Sequence, residues 1–462
     1  MVLGLLLIGL FVLRVYYGLS LELRGGDAIQ IYLLGLKFFA TGQWPFFGPN
    51  VDAMASLGAI HTQPQIAGPL QGLLVGVPLF LTEAPEAPLV LLNILSFAGL
   101  VFFGRYLVRR FPLVPAWITY AWLLTCPWTL NFSTHVYNPS YLLALSCLFF
   151  VSFFELMPSL TGNLVPPEIS FFLAGFSLAA SSQFHLSWPL LLPFLLIAVV
   201  VRVRERLLTP FQVGCLLAGA ALPSALLVPT VAEYGFASLF AALGGNFEVN
   251  GHHAGAVVDI TARFLSFASF EVGRFLGQNE ESRLEVLRQS PWLIPFVVGL
   301  GIIGLVQPLL MLVFLFRPRF LKLEGDQYRN VRWLVVTTLI FLCVVFLFTS
   351  RPPIARNYYI LSPVALLLGY LALGSLVQTR RARRWAGGIL AAGAILNVGL
   401  AAQRFSVDPW ASRRSTVVRA IRERDYRILG ERRAQVLEDE SQARARDQRE
   451  RWITTARPVS LA

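Results

Sequence analysis

The sequence predicts an all-α polytopic membrane protein: a helical bundle of about eleven transmembrane helices, with interfacial helices in its first outer loop. Three observations predict it. Hydrophobic residues make up 56% of the 462 positions and charged residues only 14%, whereas soluble domains carry about a quarter charged residues. The shortfall is concentrated in long uncharged runs of the length needed to cross a bilayer, about 17–25 residues. Clusters of arginine punctuate the ends of those runs, as expected of cytoplasmic loops.

Taken in order, the runs are 2–20, 88–107, 113–131, 139–157, 169–184, 187–201, 211–230, 291–316, 332–349, 357–377 and 385–402. The first lacks a basic start and a small-residue cleavage site, so it reads as a retained span and not a signal peptide. His185 and Pro189 mark the turn between two short crossings. A further run, 66–81, is interrupted by Gly68, Pro69, Gly72, Gly76 and Pro78. Charge decides its place. Arg105/Arg109/Arg110, Arg202/Arg204/Arg206, Arg317/Arg319/Lys322/Arg329/Arg332 and Arg380/Arg381/Arg383/Arg384 all fall on the cytoplasmic side if 66–81 is re-entrant or interfacial, and all fall outside if it crosses. The first alternative is adopted, with the N-terminus inside a multi-pass inner-membrane protein.

Residues 1–402 then form a membrane domain with outer loops at 21–87 and 231–290 and shorter outer turns at 131–139, around 185 and at 350–356. Residues 403–462 form a charged tail, either outside or lying on the membrane surface. The net charge of +12 sits beside apolar runs, which suits anionic lipid headgroups and not nucleic acid. Cys126, Cys147, Cys215 and Cys343 lie inside apolar runs without metal or redox spacing and read as small core residues. No internal repeat is evident, which argues against a transporter built from inverted halves.

The sharpest signal follows span 1. Arg24-Gly25-Gly26-Asp27-Ala28-Ile29-Gln30 opens a helix that runs past Lys37 to Thr41-Gly42, a glycine stop before Trp44-Pro45. Asp27 reads either as a helix N-cap or as an ionisable group at the membrane edge with a functional role; the two are compatible. Asp52 follows Gly48-Pro49-Asn50 and reads as a turn residue or a ligand. His61, His135 and His185 share the predicted outer face, each open to a structural role alone. His252 and His253 read as a loop tip. Arg356 lies outside against the positive-inside bias, which favours function over simple snorkelling.

With these residues in order, the chain resembles the integral-membrane glycosyltransferases of the GT-C fold, in the bacterial branch of protein mannosyltransferases and aminoarabinose transferases. Asp27 stands where that family has an acidic residue after its first span, though Ala28 replaces the frequent second acid. The stretch 35–51, the turn Thr134-His135-Val136-Tyr137-Asn138 and the segment Arg351-Pro352-Pro353-Ile354-Ala355-Arg356-Asn357-Tyr358-Tyr359 match further family regions. The resemblance covers most of 1–377.

It implies transfer of a sugar from a polyprenyl-phosphate donor to a glycan, lipid or protein acceptor at the outer face, with inversion at C1. A carboxylate removes the acceptor proton, for which Asp27 is the candidate. Cations meet the leaving phosphate, with Arg356, Arg351 and Lys37 as candidates. His61, His135, Asn138, His185, Tyr358 and Asp52 are candidate substrate contacts. No cofactor is expected. Asp27, Asp52 and His61 have ligand types suited to a divalent metal, but no spacing fixes a site. Two rivals remain: a transporter or flippase, and a glycan polymerase or ligase that uses the 231–290 loop.

Overall fold

A computed structural model describes residues 1–50, 65–240, 255–267, 269–277, 280–317, 325–347 and 354–438. The chain is a bundle of helices with one two-stranded antiparallel ribbon, β1 (Phe47–Asn50) paired with β2 (Gln65–Ala67). In order, the helices are α1 (Val2–Leu21), α2 (Gly26–Thr41), α3 (Leu70–Thr82), α4 (Ala87–Arg110), α5 (Ala116–Thr125), α6 (Pro127–Asn131) and α7 (Leu142–Leu156). Next come α8 (Pro167–Ser181), α9 (Leu192–Arg204), α10 (Pro210–Ser224), α11 (Val228–Tyr234), α12 (Ala256–Ser266), α13 (Val272–Leu276) and α14 (Glu280–Gln289). The last are α15 (Ile294–Phe316), α16 (Gly325–Leu347), α17 (Ala355–Tyr358), α18 (Ser362–Leu376), α19 (Arg380–Val407) and α20 (Trp410–Glu423).

Within the described residues, each predicted span is largely helical. Among the described residues, 7 helices are long and apolar enough to cross a membrane by themselves. The remaining predicted spans are shorter or broken, and the cause is chemical. Pro127 separates α5 from α6 at an extended Cys126. Pro189 and Pro193 hold the start of the α9 pass in a 3-10 turn, because proline lacks the N–H that a continuous helix needs. Apolar side chains face outward along the long helices, such as Leu217 and Leu222 on α10 and Ile302, Leu305 and Leu309 on α15. A water-soluble surface does not carry so continuous an apolar face. Inside, α18 is buried nearly all round, with Val364, Ala365, Leu366, Tyr370 and Leu371 in the central core.

The bundle has two chemically distinct ends. At one, Arg110 bonds the Leu160 carbonyl, Arg202 that of Leu156, Asn330 that of Ser159 and Arg383 that of Val377. The described arginines of all four clusters therefore gather at a single end. At the other end Glu22 meets Val136, Gln71 meets Phe184, Gln183 meets Pro223 and Thr230 meets Phe46. The run 66–81 leaves from this second end and returns to it. Gly68 abuts Gln183, while Tyr32 reaches the Pro85 carbonyl and Glu86 pairs with Arg414 at 2.6 Å. Thus α3 makes no net crossing, and α4 starts at the end where α1 stops.

Candidate functional site

The second end is assembled around the exit of α1. Close packing of α1 on the 131–141 turn requires Gly18, because a Cβ there would lie 2.0 Å from the Thr134 carbonyl oxygen. Tyr17 donates to Asn131 Oδ1 at 2.7 Å, and Asn93 of α4 donates to the Thr134 carbonyl at 2.8 Å. The Val136 N–H donates to Glu22 Oε2 at 2.9 Å. These bonds hold His135 and Tyr137, whose rings stack at 5.0 Å and 7°.

The chain turns at Leu23 and Gly25 and enters α2. Gly25 is the N-cap, and no side chain caps the helix. Asp27 sits in the first turn, where the helix dipole favours a negative charge, and its carboxylate is directed elsewhere: Asp27 Oδ2 lies 3.4 Å from Arg356 Nη1. Of the two readings from sequence, capping is therefore absent. Both partners keep access to water, with Arg356 41% and Asp27 31% exposed. Tyr137 adjoins the same pair; burial pushes its phenol up, and the neighbouring Arg356 pulls it back.

His185 belongs to the same neighbourhood. Its Nδ1 accepts from the Ser187 N–H at 3.1 Å and meets the Ser187 hydroxyl at 2.9 Å, which leaves the proton on Nε2 in the neutral ring. Burial, then the charge of Arg356, pushes its pKa down to about 3. His135 is also pushed to about 3, by desolvation first and Arg404 second, although one edge of the ring stays open on a cavity. Both rings are therefore neutral hydrogen-bonding groups at physiological pH. Asn138 Oδ1 accepts from Gln71 Nε2 at 3.2 Å, and the same amide donates to the Phe184 carbonyl at 2.5 Å. Gln71 thereby staples the Asn138 turn to the His185 turn.

A cavity of about 680 Å³ opens at this end. Its wall includes Arg24, His135, Tyr137, Glu271, Arg356 and Arg404, with Phe132 and Phe275 as apolar surface. Asp27 lies behind Arg356 and is not on the wall. Glu271 is held by Arg263 at 3.0 Å, which also takes Asp259 at 2.8 Å. The guanidiniums of Arg24, Arg356 and Arg404 make the wall a surface that attracts anions.

The candidates from sequence fare differently. Asp27, Arg356, His135 and His185 come together, with Asn138 one residue from Tyr137. Lys37 lies further along α2, about 15 Å from Asp27 at 1.5 Å per residue. Tyr358 corrects the expectation of a substrate contact: it is fully buried, edge-on to Trp128 and Phe346. Its ring serves the core because α17 turns it inward while Arg356 turns outward. Arg351, His61 and Asp52 lie outside the described residues. Among the described residues no three His, Cys, Asp or Glu side chains gather as a metal-binding group.

Tyr137, Gln71, Glu22, Arg24, Arg404 and Glu271 were not singled out from sequence. Only Arg404 had a usable signal, a cation closing a long apolar helix at the outer end.

No protein-family model and no curated protein matches the chain. Among solved structures it is similar to the crystal structure of ArnT from Cupriavidus metallidurans in the apo state, at 14% identity, over 86% of this chain and 77% of that one, with a TM-score of 0.40. A likeness at that score carries no weight for fold or function.

Proposed function

We propose that this protein is a membrane glycosyltransferase that takes a sugar from a polyprenyl-phosphate donor at the Asp27 end of the bundle. One observation carries the reading. Asp27 and Arg356, far apart in sequence, meet at 3.4 Å beside a cationic cavity at the rim of a membrane bundle. The reaction needs a carboxylate and a guanidinium at such a rim.

In the reaction, the acceptor hydroxyl attacks C1 of the donor sugar. The C1–O bond to phosphate breaks, and its electron pair leaves with the polyprenyl phosphate. The acceptor proton passes to Asp27, and C1 inverts. Arg356 meets the charge that grows on the leaving phosphate, where planar two-pronged donation is most effective. Its bond to Asp27 is long, single and half-exposed, so it is weak. A docked phosphate can draw Arg356 over, which leaves the Asp27 carboxylate free to accept a hydrogen bond from the acceptor hydroxyl. His135, His185 and Tyr137 are neutral groups suited to sugar hydroxyls.

The polymerase or ligase reading keeps one supporting observation, since Glu271, Phe275 and Ser282 from the 231–290 region contribute to the cavity wall. It predicts chemistry that survives loss of Asp27. The test is consumption of radiolabelled polyprenyl-phosphate-linked sugars by membranes containing the full chain. Asp27→Asn is expected to lower turnover by about 10²-fold or more, the usual contribution of a general base. Turnover within twofold of the parent would remove Asp27 as the base and favour the rival.

A further inference from the structure

We infer that the cavity contains a second anion-binding position, built by Arg24 and Arg404 and separate from Arg356, that takes a phosphate-like group. The inference rests on the reading above only for which substrate supplies that group.

Arg24 lies between α1 and α2, and Arg404 in the last turn of α19. Backbone bonds hold the two together: Arg24 Nη2 donates to the Arg404 carbonyl at 2.6 Å and to the Asp408 carbonyl at 3.3 Å. Both guanidiniums line the cavity. A third, Arg413, is fully buried behind them, with Nε 3.1 Å from Asp408 Oδ2, and Arg24 Nε shares that oxygen at 3.5 Å. Arg404 donates to the Phe275 carbonyl at 2.8 Å and to the Ser20 hydroxyl at 3.4 Å, and lies 5.1 Å over the Tyr17 ring.

Two of the three cations, Arg24 and Arg413, therefore share one carboxylate, while Arg404 is held by a carbonyl, a hydroxyl and a ring face. The other acids on the wall are committed elsewhere: Glu271 is bound by Arg263, and Glu285 accepts from Gln289 and faces solvent. On the cavity wall itself the three guanidiniums of Arg24, Arg356 and Arg404 stand against the two carboxylates of Glu271 and Glu285. Burial, then Arg413 and Arg404, pushes the Arg24 pKa down to about 10, the mark of like charges held together out of water. An incoming anion relieves that repulsion. Forked guanidinium donors suit phosphate oxygens, and Arg356, elsewhere on the wall, is already paired with Asp27.

Two substrates could bring a second anion to this position. One is a diphosphate donor, whose outer phosphate sits at Arg356 or at this site; the other is an acceptor bearing its own phosphate or carboxylate. The test is calorimetric titration of the detergent-purified full chain. With inorganic phosphate the expected result is two bound equivalents. Arg356→Gln loses one; Arg404→Gln and Arg24→Gln weaken the other about tenfold or more, as expected for a lost charge-assisted bond. Arg404→Lys, which keeps the charge, retains it. If Arg24→Gln fails to fold, Arg404→Gln decides alone.

Short prenyl ligands separate the sources. Geranyl diphosphate displacing both phosphate equivalents assigns the second anion to the donor. Geranyl diphosphate displacing only the equivalent at Arg356, as geranyl phosphate does, assigns it to the acceptor. A single phosphate equivalent in the parent, or unchanged binding in Arg404→Gln, overturns the site. Phosphate stoichiometry needs no turnover, so it stands or falls independently of what Asp27→Asn does to sugar transfer.

Discussion

Glu22 is wholly enclosed at the exit of α1. Desolvation raises its pKa from 4.5 to about 8, against the opposing effects of the Val136 N–H, Tyr32 and Arg413. It is therefore protonated through most of the physiological range. The sign follows from linkage. Between pH 4.5 and about 8 the unfolded chain has released a proton that the folded chain keeps, so stability falls as pH rises through that window. Glu22→Gln mimics the protonated acid and keeps an acceptor for Val136. Its thermal midpoint in detergent is expected to vary less than the parent's across the same window. A parent profile as flat as that of Glu22→Gln would show that Glu22 ionises freely in the folded protein. Sequence gave no warning of this group: in Leu-Glu-Leu-Arg-Gly-Gly it reads as an ordinary loop acid. Its burial is imposed by a turn 114 residues away. Asp27 was legible because its position after the first span is itself the signal, and Arg356 because it defies the charge bias.

At the scale of elements, the charged tail is part of the site's framework. Arg413 on α20 donates to the carbonyls of Leu19 and Glu22, where α1 ends, and to that of Asp408 at 3.2 Å. Trp410 and Arg414 both bond Glu86 at the head of α4, at 3.0 and 2.6 Å. Leu437 packs so closely on Gly26 that a Cβ there would lie 2.5 Å from its Cδ2. The tail thus straps the start of α2, which carries Asp27. Arg413→Met would leave the Leu19 and Glu22 carbonyls without their buried donor, while Asp408 keeps Arg24, a loss of about 1–3 kcal/mol. The expected outcome is rapid trypsin cleavage at Arg419, Arg422 or Arg424 in folded protein, together with weaker sugar transfer. Cleavage no faster than in the parent would mean that the strap is held by its other contacts. The span count placed the tail outside or on the surface but could not show what it covers, because its contacts are with residues some 390 positions earlier. The spans were legible by apolar length, and Pro189 was read with His185 as marking a turn; the break at Pro127 was not legible, since a tally of apolar residues does not register a missing N–H.

At the scale of the whole molecule, the separation of charge fixes how the bundle sits. Arg110, Arg202 and Arg383 gather around the loops at 156–162 and 377–380, and from the positive-inside bias we propose that this end lies in the cytoplasm. The Asp27 end carries arginines as well: Arg24, Arg404 and Arg413 are bonded to carboxylates and carbonyls, while Arg419 and Arg422 on α20 are exposed. From the four loop clusters we propose that the Asp27 end, with α20, faces outward. Single cysteines at Ser159 and Ser415, both exposed, test it in intact cells with a membrane-impermeant maleimide. The native cysteines are buried or lie within spans and give a low background. Ser415→Cys is expected to react at once, and Ser159→Cys only after permeabilisation. Reaction in the reverse order would put the cavity in the cytoplasm, where the proposed outer-face transfer could not occur, while leaving the Asp27–Arg356 chemistry to be reassigned to a cytoplasmic substrate.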